Sequence, residues 1–354
     1  TTIDDPSVYF QTTLYTGDGN SSQAQTNTGN SDLQPDWVWI KKRAGGSARS
    51  NQLYDSSRGV TKLLHSDAND GESTQSAGLT AFSSDGFTVG NDDGIGANTA
   101  TYVAWQWKCN GGTETNSQAE SGSNIACSVQ ANTTAGFSII TYTGTGGTGH
   151  TFLHGLGSAP AWFIIKRRSG TEDWAVYHHK NTSQPETDHL LLNSTAATDD
   201  SETRFDDTAP NGTEIALGNN AVGNADASTY VCYAFKEIQG YSKFGSYTGN
   251  GNVDGPFIYT GFKPAWVILK RSSGVADWNI FDSKRPNAFN EANGRLRSND
   301  NTVESTSDAG VDLLSNGFKC RLGSEFNANG TTNIYMAFAE SPFVSSEGVP
   351  TTAR

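Results

Sequence analysis

Tyr15-Thr16-Gly17-Asp18-Gly19, Tyr142-Thr143-Gly144-Thr145-Gly146 and Tyr247-Thr248-Gly249-Asn250-Gly251 all spell Y-T-G-x-G. Each is followed by a proline-led strand pattern: Pro35-Asp36-Trp37-Val38-Trp39-Ile40-Lys41, Pro160-Ala161-Trp162-Phe163-Ile164-Ile165-Lys166 and Pro264-Ala265-Trp266-Val267-Ile268-Leu269-Lys270. Trp stands two residues after Pro and Lys six after it in every copy. Three ordered occurrences make the chain a tandem array of one unit. The copies begin 127 and then 105 residues apart. That is too long for a solenoid repeat of ~20–50 residues and close to a small domain of ~100–150. The boundaries that follow are 1–110 for the first unit, 111–239 for a linker plus the second, and 240–354 for the third with a C-terminal tail. Triplication suits multiplied surfaces better than a single catalytic cleft.

Charged residues are 17% of the 354, below the ~25% of an ordinary soluble domain. Glycine is abundant, at 39 residues, and aromatics are 10%. Many turn formers with many aromatics describe an all-β protein with long polar loops. No apolar run approaches the ~20 residues of a membrane span. No leader segment is visible, and a start at Thr1 reads as a processed or partial chain. The net charge of −13 argues against nucleic acid, which demands a basic face. Of the four cysteines, Cys232 and Cys320 sit in strand patterns, and Cys109 and Cys127 flank a polar segment and are the one pair that could join. Four free thiols are the preferred reading, since disulfide scaffolds are denser in cysteine.

Within each unit, short strands alternate with turn signals, which predicts a sandwich or barrel. The fold class expected is therefore all-β, with three tandem homologous β-sandwich units of jelly-roll or concanavalin-like type. Trp37, Trp162 and Trp266 are expected in the repeat core, with Tyr54, Tyr177 and Phe281. The closing strands (Tyr102–Lys108, Tyr230–Lys236, Ile334–Ala339) alternate little, so both of their faces should be covered. Residues 109–136 read as a polar joint, which would let the first unit hinge while the second and third move together.

The candidate chemistry is sparse. Trp174 and Trp278 each begin a strand after a Gly-rich turn, which places them at the rim as candidate glycan-stacking platforms. Lys41, Lys166 and Lys270, with Arg43, Arg167 and Arg271 nearby, recur in each unit. They are expected to cap strand edges and pair with Asp55, Asp173 or Asp282 rather than to line a ligand row. Five histidines (His150, His154, His178, His179, His189) cluster in the second unit. His178 and His179 should face opposite sides of a strand, which disfavours a metal site. No cofactor is expected. Calcium is the one exception the oxygen-rich loops Asp67–Gly71 and Asn91–Gly94 leave open, although neither fits the EF-hand pattern. No G-x-S-x-G, H-E-x-x-H or Walker loop occurs, so no catalytic residue is assigned. A carboxylate pair of the glycosidase kind is not excluded by sequence.

Longer strings carry a resemblance. They are Ser128-Val129-Gln130-Ala131-Asn132-Thr133-Thr134-Ala135-Gly136-Phe137-Ser138-Ile139, His154-Gly155-Leu156-Gly157, Gly240–Gly249, Asp254–Trp266 and Ile334–Phe343. Together they resemble a family of repeat-bearing structural proteins of tailed marine bacteriophages, described as tail-fibre-like or virion-associated with concanavalin-like β-sandwich repeats. The resemblance covers nearly the whole chain. It implies a non-enzymatic virion protein (tail fibre, appendage or capsid decoration), made in the bacterial host cytoplasm. Its implied partners are other virion proteins and a host-surface glycan or receptor, contacted multivalently, with homo-oligomers such as trimers. The alternative is a secreted glycan-binding module or polysaccharide depolymerase. The family supplies no site residues to carry over.

Overall fold

A computed structural model describes residues 1–285, 290–307 and 310–351. Nearly all regular structure is β-strand, with only two one-turn α-helices, Glu202–Phe205 and Ala221–Asn224, among the described residues. The all-β expectation holds.

One strand order recurs three times. The strands Phe10–Thr16, Thr101–Trp107, Trp37–Ala44 and Gln52–Asp55 pair in that order in the first unit. Phe137–Thr143, Thr229–Phe235, Trp162–Arg167 and Trp174–His178 repeat it in the second, and Ser242–Thr248, Thr332–Pro342, Phe262–Arg271 and Asn279–Asp282 in the third. Each of these sheets is backed by a smaller one, whose strands include Gly86–Val89, Glu214–Leu217 or Gly317–Cys320.

The Y-T-G-x-G motif explains itself in this frame. Its tyrosine hydroxyl donates to a carbonyl of the loop entering the closing strand: Tyr15 to Ile95 at 2.8 Å, Tyr142 to Gly223 at 2.7 Å and Tyr247 to Phe326 at 2.6 Å. At the first glycine a Cβ would lie 2.2 Å from Ala97 O, 2.4 Å from Ala225 O or 2.3 Å from Ala328 O, depending on the copy. No side chain fits there. The second glycine has φ of 74°, 70° and 68°, the left-handed region.

The closing strands are covered on both faces, as their continuous apolar character requires. Tyr102 and Ala104, Tyr230, Cys232 and Ala234, and Tyr335, Ala337 and Ala339 face the three separate cores between large and small sheets. Tyr54, Tyr177 and Phe281 are buried in those same cores. The alternate residues, such as Val103, Val231 and Ile334, face a fourth core that all three units share. Trp37, Trp162 and Trp266 are each 1% exposed and lie in that common core. At its centre the equivalent aromatics Trp107, Phe235 and Phe338 form a triangle, with ring centroids 6.5, 5.6 and 5.6 Å apart.

The three units close as a ring. Lys41, Lys166 and Lys270 are fully buried, each donating to a backbone carbonyl of a neighbouring unit. Lys41 reaches Asp300 at 3.3 Å, Lys166 reaches Asn69 at 2.8 Å and Lys270 reaches Thr195 at 3.1 Å. First touches third, second touches first, third touches second: a head-to-tail contact that closes after three steps. Two junctions are further held by buried ion quartets. Arg58 bonds Asp55 and reaches Glu72 at 3.1 Å, while Arg168 of the second unit holds Glu72 at 3.0 Å. Arg285 bonds Asp282 at 2.6 Å and Glu304 at 3.0 Å, while Arg43 of the first unit holds Glu304 at 2.8 Å.

Two expectations are corrected here. The recurrent lysines are neither exposed edge blockers nor partners of Asp55, Asp173 or Asp282; they satisfy carbonyls at buried junctions, and Arg58 and Arg285 take Asp55 and Asp282. Arg167 instead approaches Glu172 at 3.7 Å, and Arg271 donates to Glu325 O. Residues 109–136 are no loose hinge. Asn116–Gln118 and Cys127–Asn132 add to the edge of the second large sheet, and the Gln130 side chain reaches back to Ser56 and Ser57 of the first unit at 3.0 and 2.9 Å. All four cysteines are free and buried. The tail at 352–354 lies outside the described residues.

Trp266 touches aromatics of the first unit, with its ring 5.5 Å from Trp107 and 6.2 Å from Trp105. Trp266→Ala should cost ~3–5 kcal/mol of a stability of only ~5–15, and the loss should fall on all three units together. Limited proteolysis through thermal unfolding checks this. Protection of residues 1–110 persisting after the third unit is digested would show independent units instead.

Burial pushes Lys41, Lys166 and Lys270 each down to about 8. Their folded pKa lies below the unfolded value of ~10.4, so between pH 8 and 10 the unfolded chain holds more protons and this contribution to stability rises with pH. Below pH 8 the cost of the buried charge is present in full. The buried thiols of Cys109, Cys127, Cys232 and Cys320 are pushed up by burial and act in the opposite sense above about pH 9. The lysine effect is therefore read as a difference: the stability of the wild type minus that of Lys166→Met should rise from pH 7.5 to 10, measured by denaturant unfolding.

Candidate functional site

The residues singled out in the sequence as a glycan platform are not at the surface. Trp174 and Trp278, expected at the rim, are 0% exposed. Each indole N–H crosses a junction: Trp174 donates to His65 O at 2.9 Å and Trp278 to Leu191 O at 2.9 Å. In the first unit the equivalent residue is Asn51, whose amide reaches Arg297 O at 3.1 Å. A Gly-rich turn before a strand signals the end of the strand but not what packs against it. These tryptophans therefore hold the ring together and offer no face to a sugar.

The histidines do not converge. His178 is buried, accepts the Lys180 N–H at 3.0 Å on Nδ1 and meets Tyr335 O at 3.1 Å through Nε2. Burial drives its pKa down to about 3, so it is neutral. His179 contacts Phe244 O at 2.9 Å, and His154 contacts Asn211 O at 3.1 Å. The acidic loops are engaged within the protein: Asp67 accepts the Asn51 N–H at 2.8 Å, Asp92 accepts the Gln52 amide at 2.6 Å, and Asp93 pairs with Lys42 at 2.7 Å. Among the described residues no three His, Cys, Asp or Glu side chains come together as a metal site.

The surface feature that sequence reading passed over is an aromatic groove. The strand Phe257–Tyr259 lies at the edge of its sheet. Ile258 points into the third unit's core, and the alternation of a strand puts its neighbours outside. Phe257 is 46% exposed and Tyr259 60%. Exposed aromatics of this size are notable in a chain that buries all eight of its tryptophans. Tyr259 lines a groove of about 540 Å³ together with Phe343, Val344, Glu237, Gln239 and Lys243. That volume lies within the ~300–1,000 Å³ of small-ligand sites. Lys243 and Glu237 pair at 3.1 Å, and Glu237 also accepts the Phe244 N–H at 3.0 Å, so the polar groups are held in position. Among the described residues Glu237 is the one carboxylate in the lining. The sequence signal was the F-I-Y alternation just after Gly255-Pro256, which marks an edge strand with two aromatics on one side.

No curated protein and no solved structure matches the chain. One family model matches residues 5–342, spanning all three units and the junctions between them, and by it the chain belongs to the family described as a domain of unknown function, DUF7483.

Proposed function

We propose that the protein is a non-enzymatic structural component of a bacteriophage virion that contacts host-surface glycans. The observation that carries the glycan part is the groove, where an exposed tyrosine stands beside a fixed Glu237–Lys243 pair and Gln239. An aromatic face with a few positioned polar groups is a pattern that takes sugar rings: the ring presses its apolar face on the tyrosine, and amide and charged groups read its hydroxyls. A binding role is favoured over hydrolysis because glycosidases of the usual kind use two carboxyl groups ~5–9.5 Å apart, and among the described residues the groove lining holds one. Placement in a tail fibre, appendage or capsid decoration rests on the phage-type strings. The ring of three sheets inside one chain supports a rigid module suited to repeated display, whose weak sites gain ~10²–10⁴ through avidity once several copies are presented together. Assembly into a homo-oligomer such as a trimer and contact with other virion proteins belong to the same reading.

Two measurements test it. Immunogold labelling of purified virions with antibody against the chain should decorate particles; unlabelled particles refute the virion assignment. On a glycan array the wild type should bind a defined subset, and Tyr259→Ala should weaken that binding about 10–30-fold, the ~1.4–2 kcal/mol of a central aromatic contact. Full retention by Tyr259→Ala moves glycan recognition away from the groove, and reproducible cleavage of a polysaccharide would favour the depolymerase alternative.

A further inference from the structure

The charged quartet that closes two junctions is missing from the third, and backbone hydrogen bonds identify what replaces it. The Glu72 and Glu304 N–H groups donate to Arg168 O at 2.8 Å and Arg43 O at 3.1 Å, and at the third junction Thr198 N–H donates to Ser272 O at 2.9 Å. In the sheets, Asp55 pairs with Trp37, Asp282 with Trp266 and His178 with Trp162. Three residues further on stand Arg58, Arg285 and Asn181. Arginine, glutamate and arginine at two junctions thus become Asn181, Thr198 and Ser272 between the second and third units. The smaller side chains leave a cavity of about 430 Å³ there, within the ~300–1,000 Å³ of small-ligand sites.

The cavity presents unused hydrogen-bonding groups. Asn181 is 3% exposed, and its Oδ1 accepts from Thr198 Oγ1 at 2.8 Å. Its Nδ2 protons have no partner among the described residues, and neither do the hydroxyls of Ser183, Ser246 and Thr332, which also line the space. The amide lines the cavity, so its N–H groups are open to an acceptor that enters it. Lys180 lines the cavity with an exposed ammonium that pairs with no carboxylate among the described residues. Among the described residues no Asp or Glu belongs to the lining, although the chain as a whole carries −13.

These groups select a ligand class. Serine and threonine hydroxyls both donate and accept, the capacity that each hydroxyl of a sugar ring also has. An ammonium without a carboxylate calls for an anion. The geometry points to a uronic acid, a hydroxylated pyranose ring bearing a carboxylate, as the ligand of this cavity. Its ring hydroxyls meet the serine and threonine side chains, a ring or hydroxyl oxygen accepts from Asn181 Nδ2, and its carboxylate pairs with Lys180. Among the described residues the site shares no lining residue with the Tyr259 groove, and it stands or falls separately from it.

Binding of glucuronate, galacturonate, glucose, galactose and inorganic phosphate to the whole chain, followed by calorimetric titration and ligand-observed NMR, tests this. Uronates should bind at least tenfold more tightly than the neutral sugars or phosphate. Lys180→Met should lower uronate affinity at least tenfold and leave neutral sugars unchanged. The combined variant N181R/T198E/S272R installs the ion set of the sister junctions; it should retain the thermal stability of the wild type and abolish uronate binding. Lys180→Met alters an exposed side chain and decides the question alone if the combined variant does not fold. Tyr259→Ala should leave uronate binding intact, which separates this cavity from the groove. Undetectable uronate binding, equal binding of glucose or phosphate, or undiminished binding by Lys180→Met overturns the assignment.

Discussion

The contact on which everything else depends is the aromatic triangle of Trp107, Phe235 and Phe338. Each of the three is the cross-strand neighbour of one of the repeated tryptophans: Trp37, Trp162 and Trp266. Together they give every large sheet an apolar inner face that its own small sheet cannot cover, because that small sheet packs on the other side. An isolated unit would leave several tryptophan-sized surfaces in water, at roughly 25 cal/mol for each Å² of apolar area. Three such faces turned toward one another remove them all. The shared core is thus the physical reason that three sandwich-like units are found as one body.

Once that core closes, the rim of each junction must satisfy the groups it buries. The solution is the same at all three at the level of the backbone: a buried lysine reaches a neighbour's carbonyl, and an indole or amide crosses beside it. Burying those ammonium groups is costly, and their lowered pKa is the sign of it. The carbonyls would otherwise be left without donors. At the level of side chains the ring is not symmetric. Two junctions carry arginine–glutamate sets with tight geometry, and the third carries small neutral residues around His178, which burial keeps uncharged. A ring of three needs only part of its rim to be strongly pinned, and the junction relieved of that task has space and free polar groups.

The groove around Tyr259 has a different origin. It lies outside the ring, where an edge strand of the third unit meets the turn between the second and third. Edge strands commonly suppress exposed apolar side chains, which invite unwanted pairing. Phe257 and Tyr259 break that habit side by side, and it is this exception, rather than any catalytic constellation, that singles out the surface.

Much of this architecture was legible from sequence because it is local. Y-T-G-x-G specifies a turn that admits no Cβ, the proline-led runs specify strands, and apolar character on both faces of the closing strands announces that both are buried. The burial of Trp37, Trp162 and Trp266 followed from the same reasoning. What tertiary structure alone decided was which partner each face met. Lys41, Lys166 and Lys270 looked like solvated strand ends, and Trp174 and Trp278 like rim aromatics, because their partners (Asp300, Asn69, Thr195, His65 and Leu191) lie in neighbouring units, as far as 259 residues away in the chain. The cavity at Asn181 was invisible for the same reason. Local periodicity records which side of a strand is apolar, but contacts that close a ring depend on how distant segments come together, and no local pattern encodes that.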